Sequence, residues 1–176
     1  MIEVRAVARV AGVFLAVASW AVLGVQPVAG AAVDQGCVVN EVVTLNPPVT
    51  DTPQSVQVTV NGQLVNCTNG SATTGSYTET ATLLNYTCTS LFYQGSGTRV
   101  LEWNNPGTAP SSYDYNRTSS RVGGNIVILL LGSIGSGTFV AAPAKMQLTA
   151  LQPNPLLCAT TGVSQLTLLG ALTIGV

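Results

Sequence analysis

Between Ser55 and Asn66 the chain reads SVQVTVNGQLVN, with Val56, Val58 and Val60 on one side and Gln57 and Thr59 on the other. A period of two is the signature of an extended strand with one face covered and the other wet; a helix repeats at 3.6. Asn61-Gly62 then allows either a tight hairpin turn or one longer strand running toward Cys67 with a bulge at Gly62, and the spacing does not choose between them. Similar short segments recur: CVVNEVVTL from Cys37, SYTETATLLNYTC from Ser76, TRVLEW from Thr98, SYDYNRT from Ser112, GTFVA from Gly137, AKMQLTAL from Ala144 and QLTLLGALTI from Gln165. Gly and Pro clusters such as NPPVTDTP, NPGTAP and QPNP punctuate them. After the first thirty or so residues, apolar residues nowhere recur at three and four over a dozen positions. The expected fold is therefore all-β: a single-domain antiparallel β-sandwich or barrel of about eight or nine strands.

The first 31 residues stand outside that argument. Arg5 and Arg9 precede the apolar run VAGVFLAVASWAVLGV, and Ala29 and Ala31 fit the small-residue rule for signal peptidase. The run is shorter than the ~20 residues of a membrane span. Residues 1–31 are thus read as a cleaved secretory signal and 32–176 as one extracellular domain, large enough to enclose a core. In that domain four basic residues (Arg99, Arg117, Arg121, Lys145) face six acidic ones (Asp34, Glu41, Asp51, Glu79, Glu102, Asp114), a formal balance of −2. Nucleic-acid binding needs clustered Lys and Arg to neutralise phosphates, and none exist.

All four cysteines, Cys37, Cys67, Cys88 and Cys158, lie in the exported part. An even number outside the cytoplasm favours disulfides. There is no C-x-x-C and no histidine, so no metal site is expected. Three connectivities are open; Cys67 with Cys88 and Cys37 with Cys158 is the preferred one.

The stretch GGNIVILLLGSIGSGTF, Gly123–Phe139, could pass for a membrane span or a phosphate loop. Its apolar run is too short for the first. GSIGSG lacks the Lys of a P-loop, and the segment after it is broken by Pro143, so no helix N-terminus receives a phosphate. Ile126–Leu131 is read as a strand buried on both faces, with Gly132–Gly137 as the turn into the next strand. No membrane span is expected in the mature chain.

Gly62, Leu64 and Cys67, then Cys88, Trp103, the set Gly132, Ser136, Gly137 and Phe139, and finally Cys158, Gly162 and Val163 form a series of short motifs. In their order the chain resembles a group of small, exported, uncharacterised actinobacterial proteins, across most of the mature length. The resemblance implies export and a β-rich fold, and it implies no activity.

Without histidine, Ser-His-Asp and Cys-His sites are impossible, and there is no G-x-S-x-G elbow. Trp103, Tyr113 and Tyr115 form the candidate binding cluster: a polar-rimmed aromatic face can stack on sugars or peptides. The function expected is that of a non-enzymatic, secreted binding or surface-structural module, free in the medium or associated with the cell surface and without a cofactor. Its partner would be a cell-wall or extracellular polysaccharide, or a further copy of itself through uncovered sheet edges. The alternative is a carboxylate-based hydrolase of extracellular polysaccharide using Glu79 and Glu102, which would have to lie ~5 to 9.5 Å apart.

Overall fold

The computed structural model describes residues 33–175; the secretory signal read at 1–31 lies outside them. Eight antiparallel strands, each paired with its neighbour in sequence, close into a barrel when the last pairs with the first. They are β1 (Gln35–Val49), β2 (Gln54–Val65), β3 (Gly75–Tyr86), β4 (Gly95–Trp103), β5 (Ser111–Val122), β6 (Asn125–Ser136), β7 (Pro143–Leu151) and β8 (Val163–Ile174). The all-β expectation holds, as a barrel. A 3-10 turn (Cys88–Phe92) and a short helix, α1 (Pro155–Ala159), sit in connections. Asn154 starts α1 by accepting the Leu156 amide at 2.9 Å, with Pro155 at the first helical position. Among the described residues no helix is long and apolar enough to cross a membrane.

The alternation read from the sequence decides which side chains enter the barrel. Val39, Leu64, Leu101, Ile134, Met146 and Leu172 point inward and are buried, each fully buried side chain of this size contributing ~1.5–3 kcal/mol. Gln57, Thr80, Asn116, Gln147 and Thr167 alternate with inward residues and are exposed. The outer face is mixed, since Val38, Val100, Leu131 and Leu169 on outward steps are exposed as well.

Gly62 belongs to one continuous strand, the second of the two alternatives left open above, and the ladder shows no bulge there. It pairs with Glu41 of β1 and Tyr77 of β3. A Cβ at Gly62 would fall 1.9 Å from Tyr77 Cζ, so the phenol lies flat over a position that only glycine leaves empty.

Three readings of the β6 region are corrected. β6 runs through Gly132 to Ser136, because the missing Cβ of Gly132 permits the Asp114 carbonyl of β5 to approach where that atom would sit. The chain reverses instead over Gly137–Ala142, with Phe139 and Ala141 at positive φ, so GTFVA is a turn and the ninth strand does not form. The strand is also covered on one face only: Ile126, Ile128 and Leu130 are buried, whereas Val127 and Leu129 are half-buried on the outside and Leu131 is exposed.

All four cysteines are in disulfides, which fits an oxidising compartment, but the preferred pairing is overturned: the bonds are Cys37–Cys67 and Cys88–Cys158. The β1–β2 register explains the first. Val38 faces Val65, the last residue of β2, so Cys67, two residues further on, comes beside Cys37 at the end of the ladder, with Cα atoms 4.1 Å apart. The second ties the 3-10 turn between β3 and β4 to α1 before β8.

Barrel closure pairs β1 with β8, so the first and last strands leave no free sheet edge. One seam is different. β3 and β4 share only the pairs Gly75–Trp103 and Ser76–Glu102, and beyond Ser76 their facing edges no longer form a ladder.

Candidate functional site

The two halves of the barrel are filled differently. At the end where β3 and β4 pair, Trp103 donates from Nε1 to Ser111 Oγ at 2.9 Å and meets Phe139 edge-on, ring centroids 5.8 Å apart. Tyr113 lies beneath, its hydroxyl donating to the Leu130 carbonyl at 2.7 Å. Toward the other end the inward positions carry Val43, Val58, Val60 and Ala81, which are too small to meet across the barrel. They leave a cavity of about 420 Å³, within the size range of small-molecule sites.

Its walls are mostly aliphatic, from Leu45, Val58, Val60, Ile128, Leu148 and Leu168 among others. Its mouth is lateral. Thr80, Ser96 and Thr98, outward residues of the β3–β4 seam, also border the cavity, and Ala81 is exposed although its parity turns it inward. The lapse of the ladder thus opens the interior to the surface. Beyond it the 3-10 turn contributes Leu91, and the segment after the turn contributes Tyr93, whose carbonyl accepts from Arg117 Nη1 at 2.9 Å and whose ring lies 4.1 Å under that guanidinium.

The floor is charged. Arg99 of β4 enters the barrel with its side chain 4% exposed. Its Nε and Nη2 donate to the two oxygens of Glu79 at 2.7 and 3.1 Å, and its Nη1 donates to Glu41 Oε2 at 3.0 Å. The guanidinium also stacks on the Tyr77 ring at 4.0 Å, and the Tyr77 hydroxyl donates to Glu41 Oε2 at 2.6 Å. Gly62 makes this contact possible: lying between Glu41 and Tyr77 in the register, it has no side chain to separate them. Tyr115 reaches Glu79 from β5 at 3.4 Å.

Burial and these charges set the protonation of the floor. Desolvation pushes the Tyr77 phenol far above its usual range, the Arg99 charge only partly opposing it, and the neighbouring carboxylates push the same way. Tyr115 is raised to about 12, first by burial and then by Glu79. For Arg99 burial works against the charge, but the hydrogen bonds and charges of Glu79 and Glu41 outweigh it, and the guanidinium is held protonated.

The expected aromatic surface does not exist. Trp103 is 7% exposed and Tyr113 is fully buried, both packed in the closed half of the barrel, because inward parity along β4 and β5 turns them to the interior. Tyr115, two residues on, is the one member of the three that borders the cavity. Glu79 and Glu102 do not converge either: Glu79 faces inward, while Glu102, between the buried Leu101 and Trp103, faces solvent on the opposite side of the wall. The residues missed were Glu41 and Arg99. The signal was present, since each stands at an inward step of an alternating strand, Glu41 between Val39 and Val43 and Arg99 between Gly97 and Leu101.

A third acidic group, Asp51, lies beside Cys88 and Cys158, but the sulfurs of that cluster are joined to each other, leaving no thiolate for a metal.

No family model matches the chain, and neither does any curated protein or solved structure.

Proposed function

We propose that the chain is an exported, non-enzymatic binding protein that holds a small, largely apolar molecule inside its barrel. The observation that carries this reading is the 420 Å³ cavity with aliphatic walls, a few convergent polar groups and a lateral mouth at the β3–β4 seam, the composition expected of a small-molecule site. Eight strands enclose an interior wide enough either to be filled by side chains or to hold one small ligand, and this sequence fills only half of it. The two disulfides and the secretory signal read at 1–31 support an extracellular setting. A polysaccharide partner has lost its support, because the aromatic rings proposed to stack on sugar are inside. A hydrolase built on Glu79 and Glu102 lacks the shared cleft that such chemistry requires.

The test is titration of the oxidised protein with N-phenyl-1-naphthylamine, a neutral probe that brightens in apolar surroundings, beside Val58→Trp, which puts an indole into the cavity. Saturable one-to-one binding is expected for the wild type, weakened at least tenfold in the variant with an unchanged far-ultraviolet dichroism spectrum. Equal binding by both proteins, or no saturable binding by the wild type, would overturn the reading.

A further inference from the structure

The charged floor says which end of a ligand it would receive. Both hydrogen bonds that reach Glu41 land on Oε2, from Tyr77 and from Arg99. Among the described residues Oε1 accepts none, although the Glu41 side chain is only 4% exposed. No buried side-chain oxygen or nitrogen among these residues is both sealed off and unpartnered. The Oε1 atom therefore looks into the cavity that Glu41 borders. A carboxylate oxygen that faces the chamber and makes no hydrogen bond to the protein is free to accept one from a bound donor.

Charge points the same way. Two carboxylates, Glu41 and Glu79, surround the single guanidinium of Arg99, so the floor carries a formal charge of −1. Arg99 has little to offer an anion: Nε and one N–H of Nη2 go to Glu79, and Nη1 goes to Glu41 and to Met146 Sδ at 3.1 Å, so four of its five N–H donors are engaged. The other cation bordering the cavity, Arg117, is turned toward the 3-10 turn, donating to the carbonyls of Tyr93 and Leu91 and stacking on Tyr93.

Resting on the cavity reading above, we infer that the ligand is an amphiphilic amine. Its ammonium group donates to Glu41 Oε1 and is balanced by the surplus negative charge of the floor, while its apolar body fills the space between Val58, Val60, Ile128 and Leu168. A carboxylate in the same place would meet two acidic side chains and an arginine whose charge is already shared between them. An alcohol could make the hydrogen bond without balancing the charge.

Three molecules with one tail and different heads separate these cases: octylamine, octanol and octanoate, each displacing N-phenyl-1-naphthylamine from the oxidised protein at pH 7. The expected order is octylamine tightest, at least tenfold over octanol, with octanoate weakest. Glu41→Gln keeps an acceptor for Tyr77 and Arg99 but removes the charge, and should bring octylamine and octanol to within about threefold. Glu79→Gln, at the more accessible carboxylate, gives the same comparison if the first variant does not fold. Equal affinity for all three heads, or a preference for octanoate, overturns the amine while leaving the cavity as a binding site. If probe binds but the Gln variants keep the full preference for octylamine, the floor is not the recognition element and the inference fails. If neither probe nor any octyl compound binds, the cavity reading itself falls.

Discussion

Arg99→Met is the substitution that tests the buried charge network most directly. Methionine follows the aliphatic path of the arginine but donates no hydrogen bonds. It leaves the Glu41 carboxylate, 4% exposed, and the Glu79 carboxylate, 22% exposed, without their counter-ion. Removing one partner of a buried ion pair costs ~3–5 kcal/mol, because the remaining charge stays desolvated. Loss of the cation stacked 4.0 Å over Tyr77 acts in the same direction, on the order of 2 kcal/mol when desolvated. These losses share atoms and do not add fully, while water reaching Glu79 relieves part of its share, so the net expectation stays at ~3–5 kcal/mol. With a urea slope of roughly 2 kcal/mol per molar, the unfolding midpoint should fall by about 2 M. Trp103, buried beside Phe139, reports the transition by fluorescence, with both disulfides kept intact. The triple variant Arg99→Met, Glu41→Gln, Glu79→Gln removes every formal charge and should recover at least half of the loss, since a buried network replaced as a unit is far less damaging than one that is broken. A single variant within about 1 kcal/mol of the wild type would show that the floor is solvated and refute the argument. A triple variant no better than the single one would assign the loss to packing of the arginine stem.

Gly62→Ala drives a methyl group into the Tyr77 ring and should lower stability by ~2–3 kcal/mol, in the range of overpacked cores, read as a drop in thermal midpoint; an unchanged midpoint would mean the ring moves freely. Peptide mapping without reduction should return Cys37–Cys67 and Cys88–Cys158 as the only linked pairs. Replacing Cys88 and Cys158 together by serine should cost about 4 kcal/mol, the chain-entropy value for a loop of this length, seen as a lower urea midpoint. Tyr86 and Tyr115 are both raised to about 12 by burial, and Tyr77 and Tyr113 are raised further. Their phenols ionise near ~10 in the unfolded chain. Folding stability from these groups is therefore complete below that pH and is lost as pH climbs toward 12, so phenolate absorbance and loss of far-ultraviolet dichroism should rise together. Ionisation of these tyrosines near 10 with the fold intact would contradict the burial.

Alternation is local, which is why the strands of this barrel could be read from residues such as Val56, Val58 and Val60. Closure is not local. Whether β1 meets β8 depends on stagger between Gln35 and Ile174 at opposite ends of the domain, and a sandwich strand carries the same period of two. The preferred cysteine pairing failed because the gaps between cysteines do not show strand register: the end of the β1–β2 ladder brings Cys67 beside Cys37. Glu79 stands on an inward step of β3, where a carboxylate runs against the usual sorting of charge. Only the three-dimensional arrangement supplies Arg99, twenty residues away and directly across the seam, as its partner. Trp103 and Tyr113 illustrate the converse, since an aromatic residue with a polar end fits a surface or a core equally well until a partner such as Ser111 Oγ or the Leu130 carbonyl is found for it.

The seam and the floor are one device. Backbone pairing between β3 and β4 stops at Ser76 and Glu102. The next strong link across that gap is the two-pronged bond from Arg99 to Glu79, made by side chains. Backbone ladders hold strands at a fixed spacing through groups that have no rotamers, whereas a side-chain bridge can lengthen or turn while both strands keep their other partners, β2 and β5. On the binding function proposed above, a barrel that admits a molecule through its wall needs one interface of the second kind, placed beside the chamber it serves. Here the bridge stands between the packed half and the cavity, so the residues that carry the charge of the floor also carry closure of the wall beside the mouth. Weakening Arg99 should therefore loosen the seam as well as destabilise the fold, and amide exchange in Glu79–Leu83 and Ser96–Arg99 should rise in Arg99→Met more than in β7, whose ladders on both sides remain complete.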